Sequence, residues 1–129
     1  MRNKKLKMLI AEDEDDILVL YRDYFRSMGH TVIYSSQNTD NLMAALEKNL
    51  PDICILDYKF PNSSNGLEAA TNLLKKYPAM PILFITAYEQ LFKKIDAMRF
   101  FNDKKFSVLI KPVMLAKIEE EILRLTNIL

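Results

Sequence analysis

The chain has 129 residues, half of them hydrophobic and 27% charged, which suits one soluble globular domain with a single core. A formal net charge of +1 creates no overall field toward nucleic acid or an anionic membrane surface, and no apolar run reaches membrane-spanning length, so direct contact with either is not expected. The apolar stretch behind the basic start Met1-Arg2-Asn3-Lys4-Lys5 is broken at Glu12, too soon for a signal peptide, and the single cysteine, Cys54, sits within an apolar strand; both features point to the cytoplasm.

Short apolar runs alternate with longer amphipathic ones, the pattern of βα units repeated around a parallel sheet. Strand one, Leu6 to Ala11, runs into Glu12-Asp13. Helix one has an acidic start from Asp13 to Asp16, carries Ile17, Tyr21, Tyr24, Phe25 and Met28 at helical spacing, and ends at Gly29. His30 lies in the turn before strand two, Thr31 to Tyr34, and is assigned no chemistry. The next helical stretch, Thr39 to Asn49, places Leu42, Ala45, Leu46 and Leu50 on one face, with Thr39 or Asp40 as candidate cap and Pro51 as stop. Strand three, Ile53 to Leu56, ends on Asp57. Helix three runs from about Gly66 to Lys76 and buries Leu67, Ala70 and Leu74, before Pro78 and Pro81 bracket the entry to strand four. That strand, Ile82 to Ile85, ends on Thr86, and helix four spans roughly Glu89 to Phe101. Strand five, Ser107 to Ile110, meets Lys111-Pro112, and helix five follows with Leu115, Ile118, Ile122, Leu125 and Leu129 as its apolar seam.

The carboxyl ends of parallel strands lie on one edge of the sheet, where ligands bind, so an acid pair, a lone aspartate, a hydroxyl and a lysine are expected to converge there. Crowded carboxylates at Glu12, Asp13 and Asp57 need an offsetting cation, and Mg²⁺ suits a few oxygen donors, several waters and a phosphate. Asp15 and Asp16 are read as a helix start complementing the macrodipole. An ionisable residue ending a fully apolar strand is costly without a task, and the Asp57 carboxylate has the chemistry to attack phosphorus and form an acyl phosphate. Lys111 offers a compact charge for a phosphoryl group, and Thr86 a hydroxyl for one of its oxygens.

The acid pair Glu12-Asp13, the segment Asp57-Tyr58-Lys59-Phe60-Pro61 with a following Gly66, the Thr86-Ala87 pair and Lys111-Pro112 resemble, in order and approximate spacing, the receiver domains of two-component response regulators. The resemblance covers essentially the whole chain and implies a single domain over residues 1–129. It implies an α/β fold, a doubly wound five-stranded parallel sheet of order 2-1-3-4-5 with five helices, of flavodoxin-like receiver type. It also implies that Asp57 accepts a phosphoryl group from the phosphohistidine of a sensor histidine kinase or phosphotransfer protein. Mg²⁺ would be held by Asp13, Asp57 and the main-chain carbonyl of Lys59, with Glu12 acting mainly through water, while Thr86 and Lys111 bind the phosphoryl oxygens and transmit the change. Such a domain is a signalling module, catalysing only its own phosphoryl transfer and dephosphorylation. A homodimer or effector contact is implied on the face of helix four, strand five and helix five, near which Tyr88, Phe92, Phe100, Phe101 and Phe106 interleave with Lys93, Lys94, Arg99, Lys104 and Lys105. Lys59 and Tyr88, two residues after the acceptor and two after the threonine, occupy positions that tune the lifetime of the phosphorylated state.

The sequence departs from the family pattern in places. The loop from Asp57 to Gly66 is one residue longer than usual, Val108 stands where many receivers carry a switching aromatic, and the segment from Thr86 to Lys111 is a few residues longer than typical. A regular helix four cannot turn both Phe100 and Phe101 inward, because adjacent residues diverge by about 100°. Either one of them faces solvent or an interface, or the chain bends after Phe100 and buries both. Two other function classes are weaker. A haloacid-dehalogenase-like phosphatase using Asp13 and Asp15 leaves Asp57 without a task. A flavodoxin-like cofactor binder would need amides and hydroxyls where the loop after strand one is acidic.

Overall fold

The computed structural model describes residues 5–126, and the Leu129 end of the expected helix-five seam lies outside them. Its five strands are β1 (Lys7–Ala11), β2 (Thr31–Ser36), β3 (Ile53–Leu56), β4 (Ile82–Thr86) and β5 (Phe106–Ile110). They alternate with α1 (Asp15–Ser27), α2 (Leu42–Lys48), α3 (Gly66–Lys76), α4 (Leu91–Asp96) and α5 (Leu115–Leu125), and a 3₁₀ turn covers Arg99–Phe101. All four pairings are parallel and the order is β2-β1-β3-β4-β5, as the resemblance implied.

The period-two alternation of the strands builds two cores. Met8, Ile10, Ile53, Ile55, Leu83 and Ile85 pack with Leu18, Tyr21 and Phe25 of α1 and with Ile118, Ile122 and Leu125 of α5. The residues between them, Leu9, Ala11, Cys54, Leu56, Ile82 and Phe84, face Leu42 and Leu46 of α2, Leu67, Ala70, Leu73 and Leu74 of α3, and Leu91 and Ile95 of α4. β1, β3 and β4 are therefore apolar on both faces, as a sheet covered by helices on each side requires. Burial pushes the Cys54 thiol far above its ordinary range, so it is an inert core group.

Three helix expectations change. α2 begins at Leu42 with Asn41 as an N-cap that makes no side-chain capping bond. Thr39, the expected cap, is buried and turned elsewhere: its Oγ1 lies 2.8 Å from the Ser64 carbonyl, 3.1 Å from Ser63 Oγ and 2.9 Å from Ser64 Oγ. This hydroxyl cluster pins the long Asp57–Gly66 loop to the β2–α2 connection. Two residues placed on apolar faces, Met28 and Leu50, lie at or beyond helix ends and are half exposed.

Helix four is the third. It stops at Asp96, and Met98 takes an extended conformation (φ −103°, ψ 116°) before the 3₁₀ turn. The bend comes two residues earlier than the expected alternative and lets Phe101 enter the core while Phe100 is partly covered. Their rings meet edge to face at 5.4 Å, and Phe101 meets Phe106 the same way at 5.5 Å. Aromatic burial of this kind outweighs the few backbone bonds that a continuous helix would add. The aromatic left facing solvent is Phe92, 54% exposed.

His30, in the turn after α1, ties the entry of β1 to α5. Its Nδ1 accepts from the Leu6 amide at 3.1 Å, which leaves Nε2 as the donor to Glu119 Oε2 at 3.1 Å. Among the described residues no helix is long and apolar enough to cross a membrane.

Candidate functional site

Parallel pairing brings the ends of β1, β3, β4 and β5 level, and the site follows from that register. The Asp57 amide extends the β1–β3 ladder by donating to the Ala11 carbonyl at 3.0 Å, and the Lys111 amide extends the last pairing by donating to the Thr86 carbonyl at 2.8 Å. These bonds aim Glu12, Asp57 and Lys111 at one another across the edge. The Lys111–Pro112 peptide bond is cis.

Lys111 Nζ sits between two carboxylates, 2.9 Å from Glu12 Oε1 and 2.9 Å from Asp57 Oδ2, with Glu14 Oε1 at 3.9 Å. Burial works against the ammonium charge, but the hydrogen bonds and charges of Glu12 and Asp57 outweigh it and hold Lys111 above the ordinary lysine range. Glu12 is only 1% exposed. Burial raises its pKa, and the bonds it accepts from the Glu14 amide and Lys111 offset that only in part. Both Glu12 oxygens are thus taken up by direct protein contacts.

Asp57 is 8% exposed, and its Oδ1 accepts from the Tyr58 amide at 2.6 Å. Thr86 is buried, and its Oγ1 accepts from the Tyr88 amide at 3.1 Å; its own O–H has no acceptor among the described residues and is free to donate toward the cleft. Asp13, Glu14, Asp57, Lys59, Thr86, Ala87, Tyr88 and Lys111 line one cleft of about 320 Å³. Every residue expected at the site is therefore at or beside this cleft, with Glu12 just beneath it. Asp15 is exposed in the first turn of α1 and does not line the cleft, so the phosphatase pattern lacks its second acid there.

Two contributors stand out less in the sequence. Gly66 opens α3 directly against the Asp57 backbone: a Cβ placed there would lie 1.9 Å from the Asp57 carbonyl oxygen, and the Gly66 amide donates to the Tyr58 carbonyl at 2.7 Å. Asn65 and Glu68 form a capping box around that start, with the Glu68 amide 2.8 Å from Asn65 Oδ1 and the Asn65 amide 3.1 Å from Glu68 Oε1. The other is Tyr58, whose ring stacks on Tyr88. The signal for that pair is the register Leu56↔Phe84, which brings the two residues after β3 level with the end of β4.

Among the described residues no three His, Cys, Asp or Glu side chains are grouped closely enough to cage a metal. Asp13, Asp57 and Lys59 nonetheless line one cleft, and its two aspartate carboxylates are a sparse hard-oxygen set of the kind that suits Mg²⁺, which keeps several waters of its own.

An open parallel α/β sheet of order β2-β1-β3-β4-β5, with an acid–lysine cleft at the switch between β1 and β3, is a doubly wound fold of the flavodoxin-like topology. The family model "Response regulator receiver domain" matches residues 8–123, and the chain belongs to that family: it is a receiver domain of the two-component response regulators. Response regulator protein PilR of Pseudomonas aeruginosa is 32% identical over 124 residues, which is 94% of this chain and 27% of PilR. The chain spans about a fifth to a half of the length of the curated relatives it matches. Among solved structures, the PhyR response regulator receiver domain of Erythrobacter litoralis superposes with a TM-score of 0.81 at 24% identity, covering 95% of this chain and 91% of that one. CheY of Borrelia burgdorferi, in its complex with CheX, BeF₃ and Mg²⁺, does so with a TM-score of 0.75 at 20% identity, covering 92% and 87%.

Proposed function

We propose that this domain accepts a phosphoryl group on Asp57 from the phosphohistidine of a sensor kinase or phosphotransfer protein, in the cytoplasm, and signals by the conformational change that follows. The observation that carries the reading is the Asp57 carboxylate itself, at the end of an apolar strand, open to a cleft and paired with a lysine. One carboxylate oxygen is oriented by the Tyr58 amide and the other by Lys111, so the nucleophile is fixed before a donor arrives. Lys111 neutralises charge on the incoming group and Thr86 donates to one of its oxygens. Mg²⁺ would be held by Asp13, Asp57 and the Lys59 carbonyl, with Glu12, whose oxygens already bond the Glu14 amide and Lys111, acting through water on a remaining lone pair, and would supply the further positive charge that a transferring phosphoryl group requires. Incubation with a small phosphodonor and Mg²⁺ tests the whole reading: the expected product is a single acyl phosphate at Asp57, and an absence of uptake overturns it.

Asp13 has no salt-bridge partner among the described residues, while Glu12 and Asp57 share Lys111. Asp13→Asn is therefore expected to weaken Mg²⁺ binding and phosphorylation while stabilising the metal-free protein by up to about 1 kcal/mol, because a like charge leaves the cleft. Thermal unfolding with and without Mg²⁺ reads both effects, and a lower metal-free melting temperature in the variant contradicts the account.

Hydrolysis of the acyl phosphate needs a water in line with the bond to Asp57. Lys59 is a charged donor and Tyr88 is bulky, so neither orients that water well, and the phosphorylated state is expected to be long-lived. Output is assigned to the α4–β5–α5 face, where Phe92, Ile110 and Met114 are exposed at 54%, 37% and 78%. If this face carries a dimer or effector contact, Phe92→Asp lowers the association seen on phosphorylation; unchanged association removes the assignment.

A further inference from the structure

Two aromatic rings stand between the Asp57 cleft and a second hollow beside it. Tyr88 lines the Asp57 cleft. Tyr58 lines the neighbouring hollow of about 420 Å³ between α3 and α4, whose walls include Leu67, Thr71, Lys94 and Met98. The rings are stacked, with centroids 4.6 Å apart and planes inclined by 24°. This lies within the favoured range for an offset pair. Both backbones are tied into the site: the Tyr58 amide donates to Asp57 Oδ1, and the Tyr88 amide to Thr86 Oγ1. Lys94 supports Tyr58 from the hollow, with Nζ 5.8 Å from the ring centroid and 3.4 Å from the hydroxyl.

We propose that Tyr58 is a positioning residue: by stacking on Tyr88 it holds that ring as the partition between the Asp57 cleft and the α3–α4 hollow, and so sets how readily water reaches a phosphoryl group on Asp57. The proposal rests on Asp57 being the phosphoacceptor. Both hollows open to solvent, and the stacked pair is shared between their walls. Without the Tyr58 ring, Tyr88 loses its stacking partner and is free to change rotamer, and the two hollows merge. Water then approaches Asp57 from a side that is closed in the parent. Phenylalanine at position 58 keeps the ring and the stack and gives up only the contact between hydroxyl and Lys94.

The test compares decay of the acyl phosphate in the parent, Tyr58→Ala, Tyr58→Phe, Tyr88→Ala and the double alanine variant, each loaded with a small phosphodonor and Mg²⁺. Tyr58→Ala should decay roughly three- to tenfold faster, the factor that an aromatic pair of this kind can hold. Tyr58→Phe should match the parent. The double variant should decay no faster than either alanine single, because both remove the same partition. Decay of Tyr58→Ala at the parental rate, a phenylalanine variant as fast as the alanine one, or effects that multiply would each overturn the proposal.

A second readout does not depend on phosphorylation. The chain contains no tryptophan, so Tyr88→Trp installs a single reporter. Acrylamide should quench it more strongly when Tyr58 becomes Ala and equally when Tyr58 becomes Phe; quenching unaffected by either change also overturns the partition. If the parent takes up no phosphoryl group, the Asp57 reading fails and the lifetime claim falls with it. The quenching pair still reports in that case whether Tyr58 shields position 88.

Discussion

Asp57→Asn is expected to remove phosphoryl uptake altogether while leaving the fold intact. A carboxamide has the shape of the carboxylate but neither its charge nor its nucleophilicity toward phosphorus. The stability argument turns on Lys111, whose Nζ also bonds Glu12 Oε1 at 2.9 Å. Losing the Asp57 charge therefore strands no buried cation, and the change avoids the penalty of about 3–5 kcal/mol that follows when one partner of a buried pair is left alone. The asparagine Oδ1 can still accept from the Tyr58 amide; its Nδ2 then replaces the Oδ2 that faced Lys111, and the donor-against-donor contact is relieved by the flexible Lys111 side chain turning to Glu12 rather than by the backbone. Intact-mass measurement after incubation with phosphodonor and Mg²⁺ should show one added phosphoryl group in the parent and none in the variant. Stable incorporation at another residue in Asp57→Asn would remove the assignment of the acceptor.

The site was legible in the sequence because it hangs on strand ends. Strand termini are set by where apolar alternation stops, and in a parallel sheet that edge is shared, so Glu12, Asp57, Thr86 and Lys111 could be placed together before any coordinates. The strand order came only with the family resemblance, since alternation of strand and helix does not say which strands are neighbours. What the sequence hid depends on packing between distant segments. Helix four carries a helical pattern through Phe101, and only the competition for core space among Phe100, Phe101 and Phe106 decides that the chain bends at Met98. Thr39 has the chemistry of a helix cap, but two serines of the longer Asp57–Gly66 loop capture its hydroxyl first. The capping box was within reach, because Asn65 and Glu68 have the required spacing. The stack of Tyr58 on Tyr88 was not, since it joins residues 30 apart through the register of β3 and β4.

Gly66→Ala should be the most damaging single methyl group in this protein. The added Cβ would stand 1.9 Å from the Asp57 carbonyl oxygen, 2.9 Å from its carbon and 3.1 Å from the Tyr58 Cα, all of them backbone atoms that no rotamer change can move aside. Relief requires one of two displacements. Either the start of α3 retreats, which breaks the 2.7 Å bond from the Gly66 amide to the Tyr58 carbonyl and loosens the capping box, or the Asp57 backbone shifts against its own bond to Ala11. Overpacking of this kind costs about 1–3 kcal/mol and at times more, and a contact with unyielding backbone belongs at the upper end, a fall in melting temperature of roughly 10 °C. Gly29 is the control. It has φ +94°, and its nearest obstacle is the flexible Lys5 ammonium at 2.7 Å, so Gly29→Ala meets mainly the left-handed backbone penalty of about 1 kcal/mol. Thermal unfolding of the two variants side by side should place Gly66→Ala well below Gly29→Ala, with Mg²⁺ affinity reduced in Gly66→Ala alone, because Asp57 and Lys59, proposed above to hold the ion, ride on the displaced loop. Equal destabilisation of the two, with Mg²⁺ binding intact, would show that the loop gives way without disturbing Asp57 and that Gly66 is not what seats the acceptor.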